Sequence, residues 1–237
     1  MTFSSNRIGF LTFLITFQLS FSQSDLGTWN IFNFNAKFDK KWSSFAEAQL
    51  RSLSFYDQFH YYEYKVGINY AAANNFVATT GIGSYNTFDE GGNFIRPMQN
   101  QEVRTWLQFG IKTPIERLIF DNRLRFEQRF TSNGYRNRYR LRIGATMPIN
   151  NKKIVRKTLS AIAWNEIFFT NREPYFERNR LFVGLGYEFE DFSVQSGYIR
   201  QFDYRINDET GRSFFNFVIL YHVDFSKEKQ FQSSTVD

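Results

Sequence analysis

The sequence predicts an antiparallel β-barrel built to cross a membrane, on three observations. Period-two alternation of apolar and charged residues recurs along the chain after the first two dozen residues. The alternating segments mostly run about 10–14 residues, longer than the 5–6 of an ordinary globular strand and long enough for a tilted transmembrane strand. Tyrosines stand at the ends of the apolar face, where an interfacial girdle belongs. Composition agrees. The 237 residues are 20% aromatic and 42% hydrophobic, with no cysteine and a formal net charge of +6. This aromatic content excludes a disordered chain, and the missing cysteines exclude disulfide scaffolds and thiolate metal sites. A mean hydropathy of −0.45 argues against a bundle of transmembrane helices.

Residues 1–22 read as a signal peptide. Arg7 precedes an apolar run from Ile8 to about Leu19, followed by Ser20, Phe21 and Ser22. This is a charged start, a short apolar stretch and a small-x-small cleavage site, with the cut placed between Ser22 and Gln23. The expected location is the bacterial outer membrane. Residues 23–225 form the expected barrel domain, and 226–237 a polar C-terminal tail.

The strands follow in order. Weaker alternation marks residues 28–38 and 42–53. Over 62–70, Tyr62, Tyr64, Val66, Ile68 and Tyr70 oppose Glu63, Lys65, Gly67 and Asn69. A further weak segment covers 76–86. Over 102–112, Val103, Thr105, Leu107, Phe109 and Ile111 oppose Glu102, Arg104, Gln108, Gly110 and Lys112. Over 120–130, Phe120, Leu124, Phe126 and Phe130 oppose Asp121, Arg123, Arg125, Glu127 and Arg129. Over 138–147, Tyr139, Leu141, Ile143, Ala145 and Met147 oppose Arg138, Arg140, Arg142, Gly144 and Thr146. After a weaker segment at 158–170, Leu181, Val183, Leu185, Tyr187 and Phe189 oppose Arg180, Gly184, Gly186 and Glu188 over 180–189. Segments at 192–204 and 213–225 complete the series. Trp29, Trp42 and Trp164 lie near strand ends and join the expected girdles.

That count is eleven, whereas an even number is expected if both chain ends lie on one side of the membrane. The range is therefore 10–12 strands in up-and-down order. Alternate connections are short, at Ala71–Asn75, Thr113–Arg117, Asn150–Lys153 and Glu190–Asp191. Those between them read as longer, at Asn86–Asn100, Asn171–Glu177 and Asn207–Arg212, matching short turns on one side and long loops on the other.

Several segments resemble a known family. They are Gly27-Thr28-Trp29, Trp42 with Glu47 and Arg51, the run from Arg123 through Phe130, Arg138-Tyr139-Arg140-Leu141-Arg142, and Asn165-Glu166. In these the chain is similar to the "domain of unknown function 2490" proteins of Bacteroidota. The resemblance implies an outer-membrane barrel of unknown activity and carries over no catalytic residues.

If the apolar face meets lipid, the charged face lines the lumen. Its arginines are Arg51, Arg104, Arg123, Arg125, Arg129, Arg138, Arg140, Arg142, Arg178 and Arg180. Its acids are Glu47, Glu63, Glu102, Asp121, Glu127, Glu166 and Glu188. Arg123, Arg125, Arg129, Arg138, Arg140 and Arg142, with Arg104 and Arg180, are the candidate anion track. Two readings stand. In one, unpaired arginines line a narrow passive route for small anionic solutes. In the other, arginines and acids fill a narrow barrel as a charge-paired plug, with rim arginines touching lipopolysaccharide phosphates. Inward glycines, among them Gly81, Gly184 and Gly197, are expected to make room for long side chains from across the barrel.

Other classes fit poorly. Basic residues with interleaved aromatics are a single-strand nucleic-acid signature. Here they alternate along strands of an exported chain, so no nucleic-acid partner is expected. An outer-membrane lipid-modifying enzyme would use a serine–histidine pair, but only His60 and His222 exist, and His222 is expected in the lumen or girdle. No G-x-S-x-G or H-E-x-x-H motif occurs, so neither catalysis, metal nor cofactor is expected.

Overall fold

The computed structural model describes residues 26–132, 134–206 and 208–226. The expected signal peptide, and the polar tail beyond Ser226, lie outside the described residues. Eleven strands follow one another: β1 (Leu26–Lys37), β2 (Trp42–Ser54), β3 (Asp57–Ala73), β4 (Phe76–Asp89), β5 (Ile95–Ile115), β6 (Leu118–Thr131), β7 (Gly134–Pro148), β8 (Leu159–Thr170), β9 (Phe176–Glu188), β10 (Phe192–Arg205) and β11 (Asp208–Asp224). Each alternating segment of the sequence coincides with one of them. Each strand pairs antiparallel with its sequence neighbours, and β1 closes the barrel against β11. Closure leaves neither β1 nor β11 as a free sheet edge.

The even-number expectation is corrected. With eleven strands in up-and-down order, the first and last run the same way, so the closing pair is parallel. Leu26 lies against Ser213 at one mouth and Lys37 against Asp224 at the other. The chain enters the barrel at the mouth bearing the β2–β3, β4–β5, β6–β7, β8–β9 and β10–β11 connections, here the upper mouth. It leaves at the lower mouth.

The expected difference in connection length is also corrected. The longest connection, residues 149–158, is at the lower mouth, where short turns were expected. The stretch read as a long loop at 86–100 is mostly strand. Asn86, Thr87 and Phe88 pair with Gln101, Asn100 and Met98, leaving residues 90–94 as the connection.

The polarity of the wall is inside-out. Ile143, Val183 and Val66 on the outer surface are 57%, 53% and 52% exposed, whereas Glu127, Arg138 and Arg129 inside are 2–4% exposed. Rings pair into two outer belts. Phe34–Tyr221, Trp42–Tyr70 and Phe76–Phe109 lie toward the lower mouth, at centroid distances of 6.0, 4.8 and 5.9 Å. Phe130–Tyr135 and Phe169–Phe176 lie toward the upper mouth, at 5.2 and 5.4 Å. On β9, Phe176 of the upper belt and Tyr187 of the lower belt are roughly 36 Å apart along the strand at its usual rise. At the customary barrel tilt that is about 28 Å along the axis.

Trp29 and Trp164 do not join these belts, which corrects the girdle assignment for both. Each points inward, and Trp29 is 4% exposed. They take part in an apolar layer inside the barrel, where Trp29, Phe182, Ile199 and Phe214 pack together with Ile31, Ile162 and Trp164 against them. Trp164 stacks on Phe182 at 5.2 Å, and Trp29 meets Phe214 edge-on at 5.8 Å. Their rings, rather than long side chains from across the lumen, occupy the room left by inward glycines. A Cβ on Gly197 would stand 2.7 Å from the Phe182 ring and 2.6 Å from the Cα of Gly184, its partner on β9. A Cβ on Gly81 would collide with the Trp106 ring.

Candidate functional site

The lumen wall is built by register. Across β6 and β7, Arg123 lies opposite Arg142, Arg125 opposite Arg140, Glu127 opposite Arg138 and Arg129 opposite Arg136. Like charges directly opposite repel, so this wall requires carboxylates from elsewhere. They come from the flanking strands, Glu102 on β5 and Glu166 on β8, and from β9 beyond them, Glu177.

Two glutamates knit the middle of the lumen, with side chains 0% and 3% exposed. Glu127 accepts from Arg140 at 2.6 Å, with Arg125 at 3.5 Å and Arg138 at 3.8 Å. Glu166 takes both Nη2 contacts of Arg140 at 2.9 Å, a hydrogen bond from Arg123, and Arg180 at 3.9 Å. Arg125 also donates from Nε and Nη2 to the Gln108 side-chain oxygen at 2.8 and 2.6 Å. A buried carboxylate shared this way holds several guanidinium groups in one geometry, since each fork can donate more than one hydrogen bond.

Beneath these pairs lie aromatic rings. Phe168, 1% exposed, has the guanidinium carbons of Arg140 and Arg180 at 4.7 Å, Arg138 at 5.6 Å and Arg178 at 5.9 Å from its centroid. Arg51 stacks on Trp29 at 3.5 Å, and Arg180 reaches the same ring at 4.7 Å. Desolvated cation–π contacts of this kind are worth about 2 kcal/mol. Charged and apolar layers thus interlock across the middle of the barrel.

Toward the upper mouth, Glu102 holds Arg104 at 2.8 Å and Arg129 through two hydrogen bonds, one of them at 2.8 Å. Glu177 accepts from Arg138 at 2.6 and 2.7 Å, with Arg129 at 3.2 Å and Arg136 at 3.3 Å. On the β2–β3 side, Lys65 bridges Glu47 and Glu63 at 2.7 Å each, and Arg51 reaches Glu63 at 3.4 Å.

The residues expected on the charged face all point inward, but not all join the network. Arg142 makes no ion pair with a described residue. It lies over Trp164 at 5.2 Å, and its Nε has no hydrogen-bond partner. Asp121 and Glu188 also make no ion pair. Asp121 lines a lower cavity beside Arg123 and Arg142, and Glu188 ends β9 at the lower mouth. His222 faces the lumen at that mouth, beside Lys112 and Asp191.

Glu177 is the main site residue that sequence reasoning missed. The register between β8 and β9 shifts at Phe168/Phe169. Phe169 pairs with Phe176 and Phe168 with Arg178, so Glu177 is an extra, unpaired residue on β9. A bulge re-aims the residue it inserts, and here that residue reaches the arginines of β6 and β7. The crowding of arginine on those strands was the available signal that another acid was needed. Gln108, placed on the charged face but not among the candidate site residues, and Phe168, which was missed, sit at ordinary inward positions of strands that the alternation had located.

The upper network opens into a basin of about 390 Å³, lined by nine arginines and four carboxylates. No group of three or more histidine or carboxylate side chains spaced to hold a metal ion occurs among the described residues.

No curated protein and no solved structure matches the chain. A family model does match, over residues 26–212, and it is described as a protein of unknown function, DUF2490. That match spans most of the barrel, including every arginine and glutamate of the lumen network, and the chain belongs to this family.

Proposed function

We propose that this protein is a bacterial outer-membrane barrel whose lumen is closed at mid-height by its own charge-paired side chains, and that it acts by binding at its upper mouth rather than by conducting. Membrane insertion is supported by the inside-out wall, by complete strand closure, and by two aromatic belts spaced close to the roughly 25 Å apolar band of such barrels. On this reading the outer face contacts lipid and lipopolysaccharide, and catalysis is not part of the role.

Closure is carried by one observation. The Glu127 and Glu166 side chains are 0% and 3% exposed, and each is shared by three arginines, of which Arg138, Arg140 and Arg180 lie over the buried Phe168 ring and Arg125 over Trp106. An ion track needs cations free to exchange partners with a passing solute. Here the mid-lumen arginines of the candidate track are instead held by internal carboxylates, by Gln108, or by an aromatic ring in the case of Arg142.

Two experiments test this reading. The protein should fractionate with the outer membrane and migrate as a heat-shifted band, and a soluble periplasmic pool would exclude the barrel's membrane role. Liposomes loaded with a chloride-sensitive dye and reconstituted with the protein should hold their gradient as empty liposomes do. Protein-dependent chloride efflux would restore the passive anion route.

A further inference from the structure

We propose that the upper basin is a binding site for a compact polyanion, a small molecule carrying two or more carboxylate or phosphate groups. The proposal rests on the barrel being closed below the basin, which makes the basin a terminus rather than a vestibule.

Charge is the first support. Nine arginines and four carboxylates surround about 390 Å³, a volume within the roughly 300–1,000 Å³ range of small-ligand sites. The carboxylates are already engaged, Glu90 by Arg212, Asp203 by Arg178, and Glu102 by Arg104 and Arg129. Glu177 alone serves Arg129, Arg136 and Arg138. Arg205 at the rim makes no ion pair with a described residue, and the carboxylate nearest to Arg180 is at 3.9 Å. Guanidinium groups held this close repel one another, and burial raises the cost of each one that lacks a counter-charge.

Unsatisfied hydrogen bonding is the second support. Arg51 Nε, Arg104 Nε and His60 Nδ1 are buried without a partner, and all three residues line this basin. Buried polar nitrogens of native proteins nearly always have partners. Three such nitrogens belong to residues that line this one cavity.

Geometry sets the valence. The arginines come from opposite walls: Arg104 from β5, Arg136 from β7, Arg178 from β9, Arg205 from β10 and Arg212 from β11. A single carboxylate can engage one wall only, whereas two or three anionic groups on one scaffold can bridge the walls. Arginine forks accept carboxylate and phosphate alike, so the two chemistries are separate arms of the test.

The experiment is titration calorimetry on the folded full barrel in a zwitterionic detergent, at low and at physiological salt. The probes are citrate, inorganic pyrophosphate, acetate and sucrose. Citrate or pyrophosphate should bind at least about tenfold more tightly than acetate, sucrose should not bind, and added salt should weaken the interaction. Whichever of citrate and pyrophosphate binds more tightly assigns the anion chemistry. Arg136→Gln and Arg205→Gln should each weaken binding several-fold. Lys152→Gln, which removes one positive charge at the lower mouth, should leave it unchanged.

Equal affinity for acetate and citrate, no binding of either polyanion, or equal loss in the Lys152 and Arg205 variants overturns the proposal. Chloride efflux from reconstituted liposomes with polyanion binding intact would instead overturn closure alone.

Discussion

At the upper mouth, nine arginines face four carboxylates. At the lower mouth, the cavity beside β1 and β11 sets Lys37 and Lys112 against Glu190, Asp191 and Asp224. The same strands form both ends. Lys37 and Asp224 pair at 3.2 Å with side chains 50% and 27% exposed, a solvated contact of small energetic consequence. At the upper mouth Arg51, Arg104, Arg138 and Arg180 are instead buried against rings, and Glu102 and Glu177 are each shared between arginines. Of these two cavities, only the upper one is lined by an excess of positive side chains. Cation type differs as well. Arginine forks allow one glutamate to hold three partners, which the point charge of lysine does less well. Between the mouths lie Glu127 and Glu166, the carboxylates to which we assign closure of the lumen.

The largest expected effect breaks the middle. Glu166→Ala removes the carboxylate shared by Arg123, Arg140 and Arg180, leaving Arg140 only its contact with Glu127, and should destabilise the barrel by about 3–5 kcal/mol. Asp121→Ala, near the lower mouth and without an ion pair, should change stability by no more than about 0.5 kcal/mol. Urea unfolding in lipid vesicles measures both, and equal losses would erase the distinction between plug and mouth.

The outer wall comes next. Leu124→Arg, 39% exposed on the outer surface, should cost about 2–4 kcal/mol if that surface meets lipid. Unchanged refolding into vesicles would place the surface in water. The inward neighbour Glu127→Arg should be at least as harmful, because three arginines share that carboxylate.

A smaller effect is expected where backbone and ring approach closely. Gly197→Ala, against the Phe182 ring, should cost about 1–3 kcal/mol by overpacking. Gly110→Ala, whose nearest neighbouring atom would be 3.9 Å away, should be close to neutral in the same unfolding assay. At the rim, Arg205→Gln should alter stability least, within about 0.5 kcal/mol, while still weakening polyanion binding.

Most of the wall was legible in the sequence. Period-two alternation fixes which face each residue takes, so Arg123, Arg125, Arg138 and Arg140 were assigned inward correctly. The phase survives only while the register is unbroken, and the bulge at Phe168/Phe169 is why Glu177 was read as part of a loop. Trp29 and Trp164 misled for a different reason. A tryptophan near a strand end suits an interfacial belt, but it suits a guanidinium platform equally well, and only the fold brings Arg51 and Arg180 over Trp29. The alternation itself counts eleven strands, and the even-number expectation failed because counting segments does not reveal how the first strand meets the last.

The measurement that bears most directly on a closed lumen is planar-bilayer recording of the purified protein under a potassium chloride gradient, with the Arg125→Gln/Arg140→Gln variant alongside. The account predicts no stepwise openings in the wild type and a variant that is less stable rather than differently selective. Stepwise wild-type currents with an anion-selective reversal potential, weakened in the variant, would contradict it and identify these arginines as a conducting track.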